Sequence, residues 1–284
     1  MIQRQPLIVP FTKMNGAGND FVVLDNRFLR FSVDELAEIA RRVCPRRTGV
    51  GADGLLALDS DETADFRMRY RNADGSLGTM CGNGARCLAR FAARAGLGRE
   101  EDGATLLDFE TDGGRYRARV DAQTVTLDVP PPRAFAASPA VSALGEVFSI
   151  WTGTEHAVVF VDDVDAAPVR EEGERLRHDP AFAPTGTNVD FVERAGGGNG
   201  TGRVRVRTFE KGVEAETLAC GTGAVASAIV ARLAGGLDAD EIAVEMPGGT
   251  LGVSFALREG EVQDLRLSGP AETVYEGTLE WWGA

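Results

Sequence analysis

A chain of 284 residues is long enough for one large domain or two ordinary ones and can bury a stable core without disulfide staples. Its 43 acidic residues against 30 basic ones leave a net charge of −13, which repels phosphate backbones and anionic lipid and so excludes nucleic acid and membrane as first partners. No apolar run approaches the roughly 20 residues of a spanning helix, and Met1 to Pro10 lacks the apolar core and small-residue cleavage pattern of a signal peptide; the expectation is a soluble, cytoplasmic protein.

In chain order, the first clear helix is Ser32 to Val43, with Ser32 as N-cap and Glu35 completing a capping box. Cys44 follows before Pro45 and reads as structural. Cys81 opens a Gly-rich turn leading into an Ala-rich helix that stops at Gly96, a residue suited to a left-handed cap. Cys87, six residues along among Ala and Leu, belongs to the core of that helix. Strands are predicted at Leu107 to Phe109, Tyr116 to Val120 and Thr124 to Val129, with a turn at Thr111 to Gly114. Pro130 to Pro132 cannot join a sheet ladder and marks a crossing between two halves near residue 129. Further strands are expected at His156 to Val161, Val204 to Thr208, Leu251 to Phe255 and Val262 to Leu267, and Ala195 to Gly202 reads as a flexible surface excursion. Cys220 opens a second Ala-rich helix ending at Gly235, followed by a strand at Ile242 to Val244 and a turn at Met246 to Gly249.

The two cysteine blocks are copies of one another. Cys81 to Gly96 can be laid on Cys220 to Gly235 without a gap, with half of the sixteen positions identical, and the downstream strand and turn match as well. Each block opens Cys-Gly-x-Gly-Ala, so each cysteine sits at a helix N-terminus. There the peptide dipoles lower a thiol pKa toward that of a base or nucleophile. Gly82 and Gly84, like Gly221 and Gly223, let a ligand approach backbone amides, which makes a carboxylate or phosphate cradle. One cysteine in such a turn is ordinarily just a small buried residue; the same pentapeptide twice points to a thiol on each side of one anion. Such a pair suits a carbon acid bearing a carboxylate. One thiolate removes the α-proton, the other thiol protonates the opposite face, and the amides hold the carboxylate as charge builds.

No cofactor is implied. The chain has two lysines, Lys13 and Lys211, and two histidines, His156 and His178, and its four cysteines lack the paired spacing of a zinc ribbon, so no metal is expected. Gly221 to Ala226 fits a loose dinucleotide pattern, but the acidic stretch Glu210 to Thr217 stands where a tight strand-to-helix turn is required.

Met14 to Phe21, Gly49 to Gly54, Arg71 to Ser76, Cys81 to Cys87, Gly186 to Asp190, and Thr208 to Gly212 with Glu216 to Gly223 resemble, in order, the motif series of the diaminopimelate epimerases. The resemblance implies an α/β (α+β) fold of two pseudo-symmetric domains, each a barrel-like, mostly antiparallel sheet around a central helix, here 1–128 with 270–284 and 129–269. It implies a cofactor-free epimerase that interconverts LL- and meso-diaminopimelate for lysine and peptidoglycan synthesis, often as a homodimer. By motif, Cys81 and Cys220 become the acid/base pair. Gly82, Asn83, Gly221 and Thr222 hold the reacting carboxylate, and Asn19, Asn72 and Asn188 bind polar groups of the substrate. Glu210 contacts an amino group and, with His156, tunes a thiol.

Three departures touch the non-reacting end of the substrate. Family members commonly carry Gly-Asn-Pro-His where this chain has Gly153-Thr-Glu-His156, so Thr154 replaces an amide and Glu155 adds a charge. Lys211 stands where an Arg often binds the distal carboxylate, and Gly54 where some members have Gln. Three alternatives stay open: a racemase of another polar amino acid, a cysteine nucleophile in acyl transfer, and a ligand-binding relative without chemistry.

Overall fold

Two thirteen-residue helices carry the repeated blocks. In the computed structural model of the chain, which describes residues 5–198 and 201–283, one runs Gly82–Arg94 with Cys81 as N-cap and the other Gly221–Leu233 with Cys220 as N-cap. The chain divides into two units, one of residues 1–127 with 270–284 and one of residues 128–269.

The first unit contains β1 (Leu7–Gly16), β2 (Asn19–Asp25), α1 (Asn26–Leu29), α2 (Val33–Val43), β3 (Gly54–Asp59), β4 (Phe66–Asn72), β5 (Leu77–Gly78), α3 (Gly82–Arg94), β6 (Arg99–Glu101), β7 (Ala104–Thr111) and β8 (Gly114–Val120), with β9 (Val125–Asp128) leading out of it. The second contains β10 (Arg133–Ala137), β11 (Val147–Trp151), β12 (Glu155–Val161), α4 (Val169–Arg177), β13 (Asn188–Gly198), β14 (Thr201–Glu210), β15 (Ala215–Thr217), α5 (Gly221–Leu233), β16 (Glu241–Met246), β17 (Gly249–Arg258) and β18 (Glu261–Gly269). The last strand, β19 (Glu272–Trp281), returns to the first unit and pairs antiparallel with β1.

The duplication is visible in the strand pairing. From β19 and β1 the first sheet runs antiparallel to β2, parallel to β3, antiparallel to β4, parallel to β7 and antiparallel to β8. The second repeats that order as β10, β11, β12, β13, β14, β16 and β17, with the same two parallel steps, and adds β18. A parallel step needs a crossover; α2 and α4 make the first of each unit, α3 and α5 the second. Each central helix packs on six strands of its own sheet, α3 on β1, β2, β3, β4, β7 and β8, and α5 on β11, β12, β13, β14, β16 and β17. The sheet thus wraps its helix. That is why α5 is buried without interruption from Gly223 to Ala231: a helix apolar on every face survives only where no face meets water.

The local signals behave as their chemistry requires. Ser32 Oγ accepts the Glu35 amide at 3.2 Å and Glu35 Oε2 accepts the Ser32 amide at 2.8 Å, while Leu36, Ile39, Ala40 and Val43 of α2 enter the core. Cys44 and Cys87 are buried, and burial pushes both thiols up to about 12. Gly96 is left-handed at φ +78°. Gly235 departs from expectation, since the left-handed residue after α5 is Gly236 at φ +73°. Gly235 is glycine for space: a Cβ there would lie 2.8 Å from Ala231 O and Phe160 Cζ. The expected excursion at Ala195 to Gly202 is strand as far as Gly198, which pairs with Thr201 after a register shift between Arg194 and Gly197, and residues 199–200 lie outside the described residues. Helix α4 carries no sequence signal because only Val169, Gly173 and Leu176 of its charged sequence are buried. Its Gly173 admits Phe209, whose Cβ would stand 2.6 Å from any Cβ added there.

Candidate active site

The pleat of the second sheet builds a polar floor beneath the start of α5. In adjacent strands His156 lies opposite Asn188 and Asp190 opposite Thr208, and side chains two residues apart on one strand share a face. His156, Asn188, Asp190, Thr208 and Glu210 therefore fall on one face of β12, β13 and β14. Asp190, fully buried, uses both carboxylate oxygens: Oδ2 lies 2.7 Å from His156 Nδ1, and Oδ1 accepts the Thr208 hydroxyl at 2.7 Å. His156 Nε2 lies 2.9 Å from Thr222 Oγ1, and Thr222 Oγ1 lies 3.3 Å from Cys220 Sγ. The sulfur also accepts the Gly223 amide at 3.4 Å as a helix cap. Gly223 is required here, because a Cβ would fall 2.5 Å from Asp190 Oδ1.

This environment reverses an expectation from sequence. A helix start should lower a thiol pKa, yet Cys220 is raised well above its ordinary value, first by burial and then by the carboxylates of Glu210 and Asp190. The Gly223 amide, which donates to the sulfur, pulls it down without prevailing.

The start of α3 is built differently. The Cys81 thiol donates to Asn19 Oδ1 at 3.5 Å, and Asn19 Nδ2 donates to Asp53 Oδ2 at 2.5 Å. Arg46 bridges Asp53 and Asp20, and Lys13 joins Asp20 at 2.6 Å, so Asp20 is held at about 2 against the upward pull of its burial. The turn that delivers Asn19 needs left-handed backbone at Ala17 and Gly18, and the Asn15 side chain braces it by accepting the Gly18 amide. Beneath the helix, Gly84 meets Leu56 and Phe21, where Gly223 meets Asp190 and Thr208. Arg86 of α3, fully buried, donates to Asn83 Oδ1 at 2.8 Å and to Pro270 O at 3.3 Å. Burial lowers its pKa, while Cys87 and Cys81 raise it.

The sequence profile of the family described as diaminopimelate epimerase matches residues 11–133 and 148–273. A diaminopimelate epimerase of Chlorobaculum tepidum is 42% identical over 269 residues, covering 94% of this chain and 99% of the relative. The chain belongs to the diaminopimelate epimerase family. One from Methanocella arvoryzae is 40% identical, covering 96% of this chain and 97% of the relative. Among solved structures, a PhzF-family phenazine biosynthesis protein of Bacillus anthracis superposes with a TM-score of 0.73 at 18% identity, covering 96% of this chain and 99% of that one. A hydroxyproline epimerase of Agrobacterium vitis gives 0.69 at 17%, covering 98% and 92%. These two share the fold. Family membership makes the chain an isomerase.

Within each unit the residues expected in the site are gathered unevenly. Asn188 touches His156 Nε2 at 3.2 Å and accepts the Lys211 amide on Oδ1 at 2.7 Å, so it joins the Cys220 cluster. Gly82 and Gly221 each open their helix, and Asn83 is buried in the first turn of α3. Asn72 ends β4 and donates to Ser76 Oγ at 2.9 Å, an anchor for the Asn72–Ser76 turn. Lys211 is ion-paired to Glu155 at 2.5 Å, and the Thr154 hydroxyl donates to the same carboxylate at 3.2 Å, so two of the three departures form one cluster. Gly54 is a strand residue backed by the Tyr70 ring, which a Cβ would meet at 2.7 Å. Sequence reasoning missed Asp190 and Thr208. Their signal was present, for each lies two residues from a recognised site residue on its strand, Asn188 and Glu210, and so on the same face.

Proposed function

We infer that the chain interconverts LL- and meso-diaminopimelate without a cofactor, using Cys81 and Cys220 as the two bases. One sulfur takes the α-hydrogen as a proton, and the C–H electrons pass into the carboxylate. The other thiol then gives its proton to the opposite face of the same carbon. The direction of reaction decides which sulfur begins as thiolate. Backbone amides of Gly82, Asn83, Gly221 and Thr222 hold the carboxylate as it gains charge, and their contribution has to reach several kcal/mol because an amino-acid α-proton is weakly acidic. Asn19, Asn72, Asn188 and Glu210 receive the remaining polar groups, and His156 acts on Cys220 through Thr222. The observation that carries this reading is that both copies of Cys-Gly-x-Gly-Ala place a thiol as N-cap of a helix enclosed in its own sheet, in a chain of this family.

The reading extends to a cytoplasmic, homodimeric enzyme feeding lysine and peptidoglycan synthesis. Support comes from four free cysteines, which a reducing compartment preserves, and from exposed apolar Ile8, Val274 and Tyr275 on the paired strands β1 and β19. A second substrate, another polar amino acid, is favoured by one feature: Lys211, the expected cation for a distal carboxylate, is occupied by Glu155. Chiral chromatography of LL-diaminopimelate and a panel of polar amino acids, each incubated with reduced enzyme, separates the two. Turnover of diaminopimelate above every other amino acid supports the first reading, and preference for another amino acid replaces it with the second.

A further inference from the structure

We propose that Asp190 is a positioning residue of this site: held by Thr208, it fixes the tautomer of His156, which draws the Thr222 hydroxyl proton away from the Cys220 sulfur and keeps Cys220 in its thiol form. The proposal rests on Cys220 being one of the two acid/base thiols.

The tautomer follows from two sides. Asp190 Oδ2, 2.7 Å from Nδ1, accepts a proton there. Independently, the Lys211 amide donates to Asn188 Oδ1, which fixes the side-chain amide so that its NH2 faces His156 Nε2 at 3.2 Å. A donor pointed at Nε2 requires a bare nitrogen. With Nδ1 protonated and Nε2 bare, the Thr222 hydroxyl donates to Nε2, and only its oxygen lone pairs are left for Cys220 Sγ at 3.3 Å. A sulfur facing an acceptor keeps its proton. The hydroxyl that could stabilise a thiolate is thus engaged by His156 for as long as Asp190 holds the ring. Thr208 completes the device by donating to Oδ1, the oxygen that lies against Gly223, and so holds the carboxylate in place.

The groups facing Cys220 are Glu210 on β14, Asp190 on β13 and His156 on β12, together with Thr222 and the Gly223 amide of its own helix. Replacing Asp190 by Asn keeps the volume, removes one negative charge and takes away the stronger of the two constraints on the ring, so that the other tautomer becomes reachable by displacing the neutral Asn188 NH2 contact. Nε2–H then donates to Thr222 Oγ1, and the Thr222 hydroxyl turns to the sulfur.

The test is the pH profile of Cys220 alkylation by iodoacetamide, read by peptide mass spectrometry on the whole, reduced chain without substrate. The D190N midpoint is expected about one pH unit below wild type, close to tenfold faster alkylation near neutrality. In a Thr222→Val background the same substitution should shift it by clearly less, because the link is cut. An unchanged D190N midpoint, or equal shifts with and without the hydroxyl, overturns the proposal. Should D190N fail to fold, ring 15N shifts of the wild-type chain, which has only two histidines, read the tautomer directly. His156 protonated on Nδ1 alone supports the proposal and Nε2–H overturns it. Neither readout uses turnover, so an inactive chain would sink the epimerase reading while leaving Asp190 tested.

Discussion

The helix starts at Cys81 and Cys220 share a pentapeptide, a helix length and a place in the strand order, yet they stand on opposite floors. The pairing registers put Phe21, Leu56 and Tyr70 beneath α3 where His156, Asp190 and Thr208 lie beneath α5. Phe21 and Tyr70 pack edge to face at 6.1 Å, an apolar support; the other three form a hydrogen-bonded chain that ends near a sulfur. Charge differs too, with the buried Arg86 guanidinium beside the Cys81 helix start and two carboxylates acting on Cys220. A duplicated scaffold thus supplies two like thiols, and the floor residues make them unlike. In the proposed two-base inversion one sulfur lacks the proton that the other carries, and in the free chain these floors bias Cys220 toward the protonated partner.

If both thiols are essential, Cys81→Ala and Cys220→Ala should each lower kcat for epimerisation by about 10³-fold or more, as measured by chiral chromatography. A variant retaining wild-type turnover would break the pairing outright. The apolar floor should answer through stability: Leu56→Ala, at a fully buried site, should cost about 2–5 kcal/mol in a urea melt. For the polar floor, Glu210→Gln should move the Cys220 alkylation midpoint to lower pH and reduce kcat by about 10- to 100-fold, since Glu210 is the foremost charge raising that thiol. An unmoved midpoint would remove Glu210 from the account.

Smaller effects sharpen the picture. Cys44 and Cys87 are lifted from 9.0 to about 12 by burial. A raised folded-state pKa gives stability that is whole below the unfolded value and is lost as pH rises through the folded one. Urea midpoints should therefore fall between about pH 9 and about pH 12, with a shallower fall in a Cys44→Ala/Cys87→Ala variant. The least effect belongs to the partly exposed Glu155–Lys211 pair. Glu155→Gln should lower KM for diaminopimelate by about 2- to 5-fold with kcat retained, the range of such a pair. A raised KM would mean that Glu155 itself binds substrate.

What the sequence disclosed follows the same divide. The repeated pentapeptides put both cysteines at helix starts, and the capping box of α2 and the turns at Thr111 to Gly114 and Met246 to Gly249 were readable because each rests on local chemistry. The floors were not readable. Phe21 and His156 show no likeness as residues, and their equivalence exists only through cross-strand register, which a single sequence does not print. The direction of the Cys220 shift was hidden for the same reason: the helix start is local and was seen, whereas burial and the carboxylates of Asp190 and Glu210 arrive from other strands.

Two unlike thiols acting on one carbon are tested most directly by proton NMR of LL-diaminopimelate with the reduced enzyme in D2O. The account predicts that early in the reaction the meso product carries deuterium at the inverted α-carbon while recovered LL substrate keeps its α-proton, since the proton removed by one sulfur is not the one delivered by the other. Deuterium entering recovered LL substrate as fast as product forms would contradict it, because a single group would then be both removing and returning the proton.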